Sequence, residues 1–239
     1  MRRKPLLLAL TILLIILGVG AGLILLVTHE PEFYTRAAMP PGTERKQRSG
    51  RFVQEFFQFC QDVHHYHEWN ARFEEDCINS YFEEQFVPSG VAERVLPEGI
   101  TAPRIAIEPD RVRLAFRYGS GAFSTIISID MRMWLAPKEP NVVALELQGL
   151  HAGSIPIAAQ SLLEQVSEAA KQNNIDVIWY RHNGNPVALL RFQADQDRPT
   201  IHLDHLVLQK GIIEVRGRST DSAPLRAMLT TPDRPGTEN

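Results

Sequence analysis

Hydrophobic and polar positions follow three different rules along this chain. From Leu6 to Val27 there is no period, because LLLALTILLIILGVGAGLILLV holds no charge, no Asn and no Gln. A helix of roughly 22 residues is about 33 Å long, enough to cross a bilayer core. A cleaved secretory signal has a shorter apolar region, of ~7–15 residues, that ends at a small-x-small site. Here Leu23 to Val27 prolong the run past Gly18, Gly20 and Gly22. The segment therefore predicts an uncleaved transmembrane helix over 5–28, with 1–4 ahead of it.

The second rule is helical. In 51–66, Phe52, Phe56, Cys60 and Val63 fall on one stripe, widened by Val53 and Phe57, with Gln54, Glu55, Gln58, Gln61 and Asp62 opposite. A second helix is predicted over 75–86, with Ile78, Tyr81, Phe82 and Phe86 inward and acidic residues in its first turn. Pro88-Ser89-Gly90 ends it. A third helix is predicted over 156–172, opened by Pro156 and carrying Leu162, Leu163, Val166 and Ala170.

The third rule is alternation. Val112, Leu114, Phe116 and Tyr118 oppose Arg111, Arg113 and Arg117, while Ile127, Ile129, Met131, Met133 and Leu135 oppose Ser128, Asp130 and Arg132. Val143, Leu145 and Leu147 oppose Glu146 and Gln148. Strands are predicted at 111–118, 125–135, 142–150, 175–181, 186–194, 200–208 and 212–218, each pair antiparallel with one covered and one wet face. Asn183-Gly184-Asn185 and Lys210-Gly211 have hairpin-turn chemistry. The fold class that follows is α+β, a curled antiparallel sheet of about seven strands packed against amphipathic helices.

Between anchor and domain, 29–49 is rich in Pro and charge and is expected to be a polar linker. The extracytoplasmic α+β domain is expected over 50–219, and 220–239, with three prolines among polar residues, as a disordered tail.

Charge sets the orientation. Arg2, Arg3 and Lys4 precede the apolar run and Glu30 and Glu32 follow it, so the N-terminus is expected on the cytoplasmic side. Setting these three cations aside leaves 22 Lys and Arg against 28 Asp and Glu, a net of −6. Such a surface argues against nucleic-acid binding and against electrostatic adhesion to anionic headgroups.

Chemistry-bearing motifs are sparse. Cys60 and Cys77 are an even count in an oxidising compartment and are expected to pair as a disulfide. His64 and His67 share a helix face without a second ligand group, and His202, Asp204 and His205 fit a surface pair plus a packed ring. No nucleophile elbow, phosphate loop or metalloprotease helix occurs. No catalytic residue, metal site or cofactor is therefore expected, and the protein is expected not to be an enzyme. The stripe Ile127, Ile129, Met131 and Met133 suits either a core or an adaptable apolar groove. With Leu162, Leu163 and Val166 it forms the candidate groove lining.

Phe73-Glu74-Glu75-Asp76-Cys77-Ile78-Asn79-Ser80-Tyr81-Phe82, the passage from Leu147-x-Gly149 through Gly153-x-Ile155-Pro156, and Leu206 to Gly211 with Gly217 carry a resemblance. They resemble the YpmS type of bacterial single-pass membrane protein, whose wider group is similar to half of a tubular lipid-binding (TULIP-like) domain. The resemblance spans about 70–218 and implies binding of a lipid or another apolar ligand between sheet and helix. It brings no catalytic residues. A ligand-free scaffold or protein-interaction domain of the cell envelope is the alternative. In both readings the chain sits in the cell membrane by Leu6–Val27, with lipid or an envelope protein as partner.

Overall fold

The computed structural model describes residues 3–92, 96, 98–121, 124–137, 139–160, 163–164, 167–168, 176–191 and 200–220, with side chains of the first helix described from Ile12. That helix, α1 (Arg3–Val27), opens on Arg3 and Lys4 and holds no charged residue from Leu6 onward. From Ile12 to Leu26 its large side chains are 48–72% exposed. Among the described residues no helix is long and apolar enough to cross a membrane. Of the run Leu6–Val27, the side chains described are those from Ile12 onward.

The stretch expected as a linker holds structure instead. α2 (Glu32–Arg36) buries Phe33 and Tyr34, and α3 (Thr43–His65) begins eight residues ahead of the amphipathic stripe at 51. The first turns of α3 are polar all round, so they carry no hydrophobic period. Ion pairs one helical turn apart, Arg48–Glu44 at 2.7 Å and Arg51–Glu55 at 2.8 Å, favour the helix there. Phe52 and Phe59 of α3 pack on Phe73, while Val53, Phe56 and Phe57 are exposed.

α4 (Glu75–Tyr81) runs into a π-helical turn, Phe82–Phe86, covering the predicted 75–86 helix. The strands are β1 (Glu68–Glu74), β2 (Ile100–Glu108), β3 (Arg111–Tyr118), β4 (Thr125–Leu135), β5 (Val142–Ala152), β6 (Ile155–Pro156), β7 (Asp176–His182), β8 (Asn185–Arg191), β9 (Ile201–Gln209) and β10 (Ile212–Ser219). All pairings are antiparallel. The fold is α+β.

The strands do not make one curled sheet. They divide into a seven-stranded sheet, ordered β2-β3-β4-β5-β8-β7 with β6 on β5, and a three-stranded sheet, ordered β1-β10-β9. The reason is β1, set directly between α3 and α4, which captures the closing hairpin along seven paired positions. The larger sheet stays open, with β2 and β7 at its two edges. Asn141 joins the two sheets: its side chain donates to the Ile201 carbonyl and accepts from Leu203 N–H at 2.7 Å.

An open edge needs cover, because its free N–H and C=O groups invite pairing with another chain. Here α4 supplies it. Asn79 donates to the Ile105 carbonyl and accepts from Ile105 N–H, both at 2.9 Å, and Glu75 accepts from Ile107 N–H at 2.6 Å. Glu75 and Asn79 are one helical turn apart, about 6 Å along the axis, close to the ~6.7 Å between alternate strand residues. Two side chains on one helix face thereby replace a missing strand. Burial raises the Glu75 carboxyl above its usual range, against the lowering pull of the Ile107 N–H.

Both cysteines are free thiols, contrary to the expected bridge. The start of α4 lies beside the middle of α3, as Arg48–Asp76 and Arg51–Glu74 show at 3.1 Å each. Cys60 is nine residues beyond Arg51, about 13 Å along the helix, further than a disulfide spans. Cys77 is buried, and burial raises its thiol pKa.

Asn79→Ala is expected to lower stability by about 2 kcal/mol, because it strands both peptide groups of Ile105 beneath α4. Denaturant unfolding of the two proteins checks this. A difference within about 0.5 kcal/mol, the range of an ordinary surface substitution, would show that the edge is satisfied in another way.

Candidate functional site

The two faces of the larger sheet differ in chemistry. On one face, β2 to β4 present Ile105, Ile107, Val112, Leu114, Phe116, Ile127, Ile129 and Met131, as the strand registers require. The floor of an apolar layer forms here from buried Phe116, Ile129, Leu147 and Leu150. Its rim is half-buried: Ile100, Leu114, Ile127, Met131, Ala159 and Leu163. Leu163 N–H donates to the Ala159 carbonyl at 3.0 Å, and Trp179 of β7 donates to Ser167 Oγ at 2.7 Å, which sets this segment across the sheet.

The structure therefore brings together Ile127, Ile129, Met131 and Leu163 of the expected groove. Met133 packs instead in a neighbouring cluster with Phe73, Ile78, Ile107, Val112 and Leu208, which Met131 also touches. Leu162 and Val166 lie outside the described residues.

A β-bulge at Asp130/Met131 resets the alternation of β5. Before it, Leu145 and Leu147 face the apolar layer opposite Met133 and Met131; after it, Leu150 does, opposite Ile129. The bulge also turns His151 to the other face, opposite Ser128, and puts Gly149 opposite Asp130. Simple alternation assigns these residues to the wrong sides.

That other face is not simply wet. Phe33 and Tyr34 of α2 cover it through Ala106, Ala115 and Ile126. Arg104 lies over the Tyr34 ring at 4.2 Å and donates to the Tyr34 carbonyl at 2.9 Å. The Tyr34 hydroxyl donates to the Ala102 carbonyl at 3.0 Å, and burial raises its pKa, so it stays a neutral donor.

Beside α2 the charged residues of this face frame a cleft of about 380 Å³, with His29, Glu32, Arg36, Arg113, Asp130 and His151 in its walls. Gly149 leaves room for the His151 ring: a Cβ there would press on that ring at 2.8 Å and meet Asp130 Oδ2 at 3.5 Å. Arg113 Nε and Asp130 Oδ1 are 3.2 Å apart, close enough to attract but misaligned for a hydrogen bond. Among the described residues no group of three or more His, Cys, Asp or Glu is placed to hold a metal ion.

The cleft adjoins a tight joint between α1 and the sheet. A helix end leaves its last carbonyls without partners. Here Ser154 N–H donates to the Leu26 carbonyl at 2.9 Å and Thr125 Oγ1 to that of Val27 at 2.6 Å. Gly153, at φ +59°, comes so close that a Cβ would overlap both carbonyl oxygens. Glu30 then pairs with Arg117 at 2.5 Å. The His29, Glu32 and Arg36 contribution fell in the segment expected as linker; its sequence signal was the apolar pair Phe33-Tyr34 amid polar residues.

Gly153→Ala is expected to cost more than about 1 kcal/mol, since both the backbone conformation and the close approach exclude a side chain. Amide hydrogen exchange at Ser154 should accelerate in the variant. Unchanged exchange there would show that the joint does not hold α1 to the sheet.

Comparison with family models, with curated proteins and with solved structures finds no match to this chain.

Proposed function

We propose that the protein is a non-enzymatic, membrane-anchored domain that holds the apolar chain of a lipid between its larger sheet and the segment around Ala159 and Leu163. Anchoring is by Leu6–Val27, with Arg2, Arg3 and Lys4 on the cytoplasmic side and the domain from Glu30 onward outside. The exposed apolar surface of α1 supports this, because contiguous exposure on that scale marks a membrane or protein contact.

The observation that carries the binding reading is the apolar layer itself. Its floor is buried, but its rim of Ile127, Met131 and Leu163 is only half-buried. Met supplies an unbranched, polarisable wall that adapts to a flexible chain. The resemblance to YpmS-type proteins and TULIP-like half-domains points to the same ligand class.

A protein-interaction scaffold is the second reading, and α3 favours it by exposing Val53, Phe56 and Phe57 at 38%, 50% and 63%. The two readings part at Met131→Glu. In an open groove the carboxylate reaches water, so the variant is expected to melt cooperatively while bound lipid falls at least about tenfold, the loss of roughly 1.4 kcal/mol of binding. In a closed core an unpaired buried charge costs several kcal/mol, comparable to the stability of a whole domain. Loss of the melting transition in the variant, with no lipid in the wild-type protein, would leave the scaffold.

A further inference from the structure

We infer that the charged cleft beside the joint binds a zwitterionic phosphodiester, of the phosphoethanolamine class that membrane lipids carry as a headgroup. This site lies on the face of the larger sheet opposite the apolar layer, so it is separate from the proposed acyl-chain groove. Its lipid source rests on the anchor reading; its ligand chemistry does not.

The cleft walls carry both signs of charge. Arg36 and Arg113 supply guanidinium groups, which match phosphate oxygens in a planar fork. Glu32 and Asp130 supply carboxylates. A bare anion would sit against the two carboxylates, and a bare cation against the two guanidiniums. A ligand carrying a phosphate and an ammonium a few bonds apart satisfies both pairs, with complementary charge throughout.

The pairing already present leaves capacity for it. Arg113 Nη2 reaches Glu108 at 3.2 Å and its Nε faces Asp130 Oδ1 at 3.2 Å, while about a quarter of each of the Arg113 and Asp130 side chains stays exposed for further contacts. Arg36 is exposed and makes no ion pair among the described residues. His29 and His151 add ring nitrogens to the same walls. The volume of about 380 Å³ lies within the ~300–1,000 Å³ of small-ligand sites, room for a headgroup.

Position favours a lipid as the source. His29 and Glu32 follow the last residue of α1, Val27, within five residues. The joint holds that end against Gly153 and Ser154, which also border the cleft. With α1 in the bilayer, the cleft stands where the chain leaves the hydrocarbon, at the depth of phosphates and amines.

The test is calorimetric titration of the full chain in neutral detergent with sn-glycero-3-phosphoethanolamine. Saturable binding at one site per chain is expected. Glycerol 3-phosphate and ethanolamine should each bind at least about tenfold more weakly, as should the diester to Arg36→Gln, one lost charged contact being worth about that factor. Arg36→Gln should melt like the wild type, because Arg36 is exposed. No saturable binding, equal binding of glycerol 3-phosphate, or unchanged affinity in Arg36→Gln would overturn the site.

A second arm addresses the source. In nanodiscs of phosphatidylethanolamine the lipid should occupy the cleft and weaken the soluble probe about tenfold, relative to phosphatidylglycerol discs. Equal affinity in the two discs would overturn the lipid source. Failure of the chain to fractionate with membranes would overturn the anchor reading instead, and leaves the detergent titration a separate measurement.

Discussion

The architecture depends on where the last carbonyls of α1 find their donors. An apolar helix that ends at a folded domain must satisfy those groups or leave them to water. In this chain Ser154 N–H and Thr125 Oγ1 meet them, and Gly153 lets the two backbones touch. The chain then turns through Pro31 into α2, whose Phe33 and Tyr34 seal the charged face of the sheet. Glu30–Arg117 and the Arg104–Tyr34 contacts bind the same segment at two further points. The domain is thus coupled to its first helix, where a flexible spacer would have let it drift.

That coupling gives the sheet two differently used faces. The bulge at Asp130/Met131 keeps Leu147 and Leu150 on the apolar side while sending His151 to the charged side. One extra residue, Gln148, therefore separates an apolar layer from a cleft lined by Arg, His and carboxylates. At the sheet's edge, Glu75 and Asn79 stand in for a neighbouring strand and meet the backbone groups of Ile105 and the N–H of Ile107.

Much of this was legible in the sequence. Strong alternation marked β3 and β4 at their observed bounds, and Asn183-Gly184 marked the β7–β8 hairpin, with both residues at positive φ. Periodicity failed where the deciding force was not periodic burial. The start of α3 is held by charge pairs, and α2 is a five-residue helix fixed by two aromatic side chains. β1 is the exception, since Trp69, Ala71 and Phe73 alternate with polar residues over its seven positions, but it is wedged directly between α3 and α4. Missing β1 made the closing hairpin look like part of one curled sheet. Of the candidate groove, Ile127, Ile129, Met131 and Leu163 meet, because they share the face set by β4. The cleft was hidden, since a bulge and a supposed linker supply half of its walls.

Lipid binding requires that the apolar layer accommodate an acyl chain rather than close into a core. Native mass spectrometry of the full chain, extracted from its own membrane in a detergent released in the gas phase, distinguishes the two. The expected spectrum shows a stoichiometric adduct with the mass of an acyl-bearing lipid, which fragments to fatty-acid ions on activation. A spectrum showing only the bare chain, folded and without adduct across mild extraction conditions, would contradict lipid binding.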